Sequence, residues 1–269
     1  MSERLDVVMV KLGLAGSRER AKELIKNSIV TVNGTAASKP SHQVSCSDSI
    51  EITGQTLKYV GRGGLKLEKI ISGYGIDLTG RICMDIGAST GGFTDCMLQN
   101  GAYRVYAVDV GSGQLAQKLV LDRRVINMDK TDIRKLSSSD FDMLPDFISI
   151  DVSFISLKLV LPKAFELLSE NGRIAALIKP QFEAGKQNVG KNGVVRSRAV
   201  HAAVLSDICG FVRGSGFGIE DLCYSPVTGS KGNIEYLALI SPESGHDKAV
   251  DLKLTVQQAF LNFKSGGVR

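Results

Sequence analysis

The sequence predicts an α/β domain on a seven-stranded, mostly parallel sheet, preceded by a small α+β domain. Three observations lead there. From Arg81 onward apolar runs alternate with amphipathic stretches, the rhythm of strand–helix–strand units. One run, Ile82 to Ile86, breaks into a small-residue loop, Gly87 to Gly92, and then into a helix. Residues 1–54 carry a different pattern, two short helices and a hairpin, set off by a glycine-containing linker over 55–64.

Composition bounds the rest. The 269 residues leave room for one large and one small domain, and 43% hydrophobic with 23% charged residues is ordinary for a soluble protein. Met1 to Lys11 mixes charges of both signs without a long apolar stretch, so no signal peptide is expected. No run approaches the ~20 apolar residues of a membrane span. A net charge of +5 permits a nucleic-acid partner without demanding one. The five cysteines (Cys46, Cys83, Cys96, Cys209 and Cys223) are odd in number and form no CxxC pair. Free thiols, no metal and a cytoplasmic location are the expectation.

In the small domain, Leu5, Val8, Met9 and Leu12 recur at helical spacing, and Gly13 and Gly16 end that helix. Ser17 suits the N-cap of a second helix, Arg18 to Asn27, with Ala21, Leu24 and Ile25 inward. Arg18, Lys22 and Lys26 then share another face. Ile29 to Thr35 reads as a strand running into an Asn33-Gly34 hairpin turn, and Ser49 to Ile52 as a closing strand. A helix with a basic face beside a hairpin can follow a phosphate backbone, although Glu19 and Glu23 dilute the charge. This stretch resembles the S4 RNA-binding domain through Arg4-Leu-Asp6, Ser17-Arg18, Ala21, Leu24-Ile25, Val30-Thr-Val-Asn-Gly34, Pro40 and Asp48.

In the large domain, 65–74 reads as an entry helix. Strands are expected at 82–86, 104–109, 124–128, 147–151 and 173–178, and helices at 91–100, 112–121, 157–169 and 197–215. Residues 219–225 and 235–240 look like adjacent strands joined by a Pro-Gly-rich turn, a hairpin closing the parallel sheet, and 248–263 like a final amphipathic helix. Such a closure is the habit of Rossmann-like class I methyltransferases that use S-adenosylmethionine (SAM).

The loop supports that cofactor. It is GxxxGG rather than GxGxxG, with Asp85 just before it and no basic residue inside it. Acids suit a cationic adenosyl ligand better than a pyrophosphate. Asp109 ends the next strand about twenty residues on, the interval at which an acid meets a ribose hydroxyl pair. Asp129 or Asp132, after the third strand, could accept from an adenine amine. The cofactor candidates are Asp85, Gly87, Ala88, Ser89, Thr90, Gly91, Gly92, Phe93, Asp109, Asp129, Asp132 and Asp151.

Ligands sit beyond the carboxyl ends of parallel strands, so strand-end residues carry the chemistry. The fourth strand ends at Asp151-Val-Ser-Phe, the fifth at Lys179-Pro-Gln-Phe-Glu183, and Gly232-Asn-Ile-Glu235 reaches the same rim. An Asp and a Lys at neighbouring strand ends in apolar surroundings would each be costly if buried alone. With Gly87-Ala-Ser-Thr-Gly-Gly-Phe93, these motifs resemble the TlyA family over almost the whole chain. In that family an S4 domain is fused to an FtsJ-like domain that methylates cytidine ribose 2′-hydroxyls in ribosomal RNA. The resemblance implies a catalytic tetrad at Lys66, Asp151, Lys179 and Glu235. It makes chemical sense: a lysine whose pKa is lowered by burial and neighbouring positive charge can take the weakly acidic 2′-proton, while the carboxylates orient the lysines. Where relatives often show Glu-Arg-Thr-Asn, this chain has Asp129-Lys-Thr-Asp132.

Other chemistries lack their motifs. No Asn/Asp-Pro-Pro-Tyr follows strand four, no cysteine lies near it, and HExxH, GxSxG and Walker patterns are missing. The 183–198 loop is glycine-rich and basic, and is expected to close over RNA. RNA-contacting candidates are Arg4, Arg18, Arg20, Lys22, Lys26, Arg62, Lys186, Lys191, Arg196 and Arg198. The implied partner is ribosomal RNA within ribosomal subunits, with no membrane and no obligate protein partner. The competing readings are a membrane-active haemolysin, a label some relatives have carried, and a non-catalytic S4-type RNA-binding protein.

Overall fold

The computed structural model describes residues 2–26, 29–37, 39–53, 58–242 and 247–264. The chain divides into two compact units, Met1–Lys58 and Tyr59–Arg269.

In the first unit, α1 (Leu5–Lys11) and α2 (Arg18–Lys26) share a core of Leu5, Met9, Ala21, Leu24, Ile25 and Val30. The two-residue strand β1 (Glu3–Arg4) pairs antiparallel with β4 (Gln43–Val44), a ladder too short to leave a periodicity in the sequence. Strand β2 (Val30–Val32) lies between β3 (Thr35–Ala36) and β5 (Ile50–Ile52). Between β2 and β3, Asn33 and Gly34 both take positive φ, 51° and 77°, as the expected hairpin turn requires. The Asn33 side chain also donates to Asp48 and accepts from the Ser49 amide, tying the turn to the start of β5.

The second unit opens with α3 (Gly63–Gly73), followed by β6 (Ile82–Ile86), α4 (Gly92–Gln99), β7 (Arg104–Val108), α5 (Gln117–Val120) and β8 (Val125–Met128). Next come β9 (Phe147–Ile150), α6 (Leu161–Leu167), β10 (Arg173–Ile178), α7 (Pro180–Glu183), α8 (Arg198–Gly214), β11 (Phe217–Tyr224), β12 (Tyr236–Pro242) and α9 (Leu252–Lys264). The sheet order is β11-β12-β10-β9-β6-β7-β8, with β12 antiparallel to both neighbours and the other pairs parallel. Alternation sends successive strand residues to opposite faces. Met84, Ile86, Ile148, Ile150 and Ile240 join one core with α6, α8 and α9. Cys83, Phe147, Leu177 and Leu239 join the other, with Leu67 and Ile70 of α3 and Phe93 and Met97 of α4. Cys83, Cys96 and Cys209 are buried.

Three segments differ from the sequence reading. Over 112–121 only α5 becomes helical, because Asp109 accepts from the Gly111 amide and Asp129 from the Gly113 amide, which holds 111–113 as a loop. The 157–169 helix is split into a single turn at Leu157–Leu159 and then α6, with Pro162 in its first turn, where a missing N–H costs little. Residues 59–64, assigned to the linker, belong to the second unit: Tyr59 is buried in its core and the Val60 amide donates to Asp95 of α4. Lys58 closes the first unit, and linker residues 55–57, with Gly54 and Asn27, lie outside the described residues.

Ile148 sits at the centre of β9 with no exposed surface. Ile148→Ala is expected to destabilise the second unit by about 2–5 kcal/mol, read as a lowered midpoint in chemical denaturation.

Candidate active site

Strand β6 is where the chain reverses its order across the sheet, running first to β7 and β8 and then back to β9. A cavity of about 480 Å³ opens there, at the carboxyl ends of the strands. Its walls include Gly87 and Ser89 after β6, Asp109 and Val110 after β7, Asp132 to Arg134 after β8, and Asp151 to Ile155 after β9.

The loop geometry explains its small residues. Gly87 has φ of 85°, and a Cβ there would lie 2.5 Å from the Asp151 carbonyl oxygen. Gly91 has φ of 93°, and its Cβ would strike Leu119. Ser89 is held at φ of 47° by two bonds: its amide donates to Asp109 Oδ2 (2.8 Å) and its hydroxyl to Gln114 (3.1 Å). Ala88 and Phe93 point into the fold, whereas Thr90 is exposed.

Under this loop lies Asp85, fully buried. It accepts from the Thr94 amide (2.8 Å) and hydroxyl (2.7 Å) at the start of α4, and from the Ser149 hydroxyl (3.0 Å) of its register partner on β9. Burial pushes its carboxyl up to about 7, outweighing the bonds that favour ionisation, and the charge of Asp151 pushes the same way. Asp85 therefore braces the loop from below. The acids after β8 divide. Asp132 lines the cavity, where the Arg134 guanidinium holds its carboxyl down at about 2. Asp129 instead accepts from Ser112 and Gly113.

The four strand-end and helix candidates form two ion pairs. Lys66 of α3 meets Glu235 at 2.7 Å, with 8% and 2% of the two residues exposed. Lys179 meets Asp151 at 2.5 Å, an ion pair without hydrogen-bond angles, and donates to Ser153 at 2.9 Å. Gln181, two residues past Lys179, donates to the other Glu235 oxygen at 3.2 Å. Ser153 and Gln181 lie inside motifs that the sequence singles out, but only their partners reveal a role. Phe154 is the other residue sequence reasoning left unassigned. It lines the cavity, 90% exposed, with φ of 64° and its ring 5.0 Å from that of Phe182. A bulky residue in the left-handed region beside a cavity is a mark of function.

The basic candidates fall in both units. In the first unit, Arg4 and Arg18 clasp the buried Asp6 at 2.9 and 3.2 Å, and chiefly the Arg4 bond holds that carboxyl down at about 2. Lys22 meets Glu19 at 3.4 Å, while the side chains of Arg20 and Lys26 lie outside the described residues. In the second unit, Arg62 precedes α3 and is half-buried, and Lys186, Lys191, Arg196 and Arg198 are exposed. Arg198 rests over the Phe260 ring, 5.3 Å from its centre. Among the described residues no helix is long and apolar enough to cross a membrane, and no group of three or more His, Cys, Asp or Glu could hold a metal ion.

Comparison with known proteins agrees with this architecture. The FtsJ-like methyltransferase family model matches residues 59–241, and the S4 domain model matches residues 3–50. The chain is 48% identical over 236 residues to YqxC of Bacillus subtilis (strain 168), which carries an rRNA methyltransferase name; the match covers 87% of this chain and 84% of that one. It is 38% identical to the 16S/23S rRNA (cytidine-2′-O)-methyltransferase TlyA of Mycobacterium tuberculosis over 93% of each chain. A solved Streptococcus thermophilus structure, carrying a hemolysin name, is 44% identical, covers 98% of both chains and superposes with a TM-score of 0.80.

The Asp85 carboxyl yields a pH prediction. In the unfolded chain it ionises near ~4, whereas in the fold it keeps its proton up to about 7. Between those values the native state binds the extra proton, so stability is full below the lower value and is lost as pH rises through the upper one. Asp85→Asn cannot titrate and is expected to flatten the denaturation midpoint measured across that window. A slope equal to wild type would assign the pH dependence to another group.

Proposed function

The chain belongs to the TlyA family, and from that premise we propose that it transfers a methyl group from SAM to a cytidine ribose 2′-hydroxyl of ribosomal RNA. The observation that carries this reading is Asp151, which lines the cavity on one side and pairs with Lys179 on the other. Methyl donor and acceptor would meet at that carboxylate.

The cavity suits the adenosyl donor. Asp109, Asp132 and Asp151 surround it with negative charge, its one cation, Arg134, is already paired with Asp132, and apolar Ile86, Val108, Ile133 and Val160 complete the wall. In this reading Asp109 holds the ribose hydroxyls and Asp132 or the adjoining backbone holds the adenine. Asp85, Ala88, Thr90, Gly91, Gly92 and Phe93 act by shaping the loop, and Asp129 by holding 112–113. When bound, SAM supplies an electrophilic methyl on a sulfonium.

Lys179 would take the 2′-hydroxyl proton, and bound SAM would supply the methyl group to that oxygen. The resulting ammonium stabilises negative charge on that oxygen in the transition state. Asp151 and Ser153 aim Lys179, Glu235 and Gln181 aim Lys66, and much of the rate would come from positioning the 2′-hydroxyl against the donor. Phe154 offers a stacking face at the rim for a nucleotide turned out of its helix. The S4 unit supplies phosphate contacts through Arg4, Arg18, Arg20, Lys22 and Lys26, with Arg4 and Arg18 already aimed by Asp6. Arg62, Lys186, Lys191, Arg196 and Arg198 supply the rest. The enzyme works in the cytoplasm, where its ribosomal substrate is.

Mass-spectrometric mapping of 2′-O-methylation on purified small and large subunits lacking the modification tests the reading. Wild type is expected to methylate one or two cytidines. Lys179→Ala is expected to lose roughly 10²-fold or more in rate while retaining SAM affinity by calorimetry; methylation at the wild-type rate would remove Lys179 from the chemistry. The double charge reversal Lys191→Glu/Arg196→Glu is expected to weaken binding to the subunits and leave SAM binding unchanged. Unchanged subunit affinity would rule out that loop as an RNA contact.

A further inference from the structure

The basic segment after α7 is held by two buried side chains that touch none of the reacting groups. Asn233 is one. Its side-chain oxygen accepts from the Val195 amide at 3.1 Å and its amide donates to the Gly193 carbonyl at 2.8 Å, which fixes the orientation of the group. His201 on α8, with no exposed surface, is the other. Its Nε2 lies 3.0 Å from the Val195 carbonyl, which can only accept, so Nε2 carries the proton and Nδ1 accepts from the Tyr236 hydroxyl at 2.8 Å. Burial keeps this imidazole neutral by lowering its pKa.

Both supports converge on Glu235. Asn233 and Tyr236 bracket it in the chain, and the turn that Asn233 closes with Gly229 packs against its carboxylate. The Gly229 amide donates to the Asn233 carbonyl at 2.9 Å, and a Cβ at Gly229 would lie 2.5 Å from Glu235 Oε1. The same turn carries Lys231, whose ammonium lies 3.5 Å from where a Cβ of Gly193 would be. Lys191, Arg196 and Lys231 are thereby gathered on backbone braced to the residues around the catalytic carboxylate. This segment is already tied down rather than hanging free to close.

We propose that Asn233 and His201 are positioning residues that lock the 190–196 segment to Glu235, so that RNA gripped by Lys191, Arg196 and Lys231 enters in register with the Lys66–Glu235 pair. The inference rests on the methyltransferase reading above. An apolar contact could hold the segment in place, but it would leave the Val195 amide and carbonyl without partners. The hydrogen bonds fix its direction as well as its position.

Methylation kinetics on ribosomal subunits test the proposal, with SAM affinity measured on the same proteins. Wild type is assayed first, so that its failure to methylate strikes the methyltransferase reading itself. Given an active wild type, Asn233→Ala and His201→Phe are expected to lower kcat/KM for the subunits by roughly ten- to a hundredfold, with SAM affinity within about twofold of wild type. His201→Gln, whose amide can donate and accept as the imidazole does, is expected to recover most of the loss. In a Lys191→Ala/Arg196→Ala/Lys231→Ala background, His201→Phe is expected to cost much less, because there is little grip left to misplace. Wild-type kinetics in both single variants, SAM affinity lost in parallel with activity, no rescue by glutamine, or full additivity with the triple variant would each overturn the proposal.

Discussion

The Lys66–Glu235 ion pair constrains the rest of the molecule. Both charges are taken out of water, and either alone would carry a desolvation cost of several kcal/mol. The pair joins α3, at the start of the second unit, to the residue just before β12, 169 positions later. The antiparallel hairpin makes this contact possible. Because β12 runs against the parallel strands, its first residue, Tyr236, pairs with the last residue of β10, Ile178. Glu235 and Lys179 therefore emerge at the same rim, where Gln181, two residues after Lys179, donates to Glu235. A parallel strand in that place would have delivered its carboxyl end to the rim instead.

Asp85 does for the glycine loop what Glu235 does for Lys66. Its carboxyl gathers Thr94 from α4 and Ser149 from β9 beneath the loop, so the turn above it can be built from residues too small to fill their own space. With Gly87 against the Asp151 carbonyl and Gly91 against Leu119, that turn lies as close to its neighbours as backbone can. Asp109 then bonds the Ser89 and Gly111 amides, so that the loops after β6 and β7 share one carboxylate. Asp85 and Asp109 thus hold the loops that wall the cavity.

Charge is handled differently in the first unit. Asp6 is buried under Arg4 and Arg18, which anchors two cations on a small domain whose core is only a cluster of aliphatic side chains. Guanidinium groups carry five donors each, so arginines aimed in this way keep hydrogen-bonding capacity toward solvent. The 190–196 segment in the second unit is braced instead through its backbone, by Asn233 and His201, and its cations remain exposed.

Elements with strong periodicity were legible in the sequence. The strands from Ile82 to Ile178, the closing hairpin and the Asn33-Gly34 turn lie where apolar alternation and turn chemistry put them, because those signals are local. The glycine loop, Asp109, Asp151 and Lys179 were also readable as strand-end residues, since a parallel sheet presents those ends at one edge, whereas Lys66 came only from the family resemblance. Local signals failed where a side chain from elsewhere decided the backbone. Asp109 and Asp129 hold open a segment that reads as helix, and Tyr59 draws part of the expected linker into a core. Which lysine pairs with which carboxylate, and the roles of Ser153, Gln181, His201 and Asn233, depend on contacts between residues far apart in the chain. Residue type and order determined which chemical groups this protein possesses and which strand ends carry them. Only the tertiary structure decided which groups are buried together, because the desolvation that makes a charge seek a partner does not exist until the chain has folded.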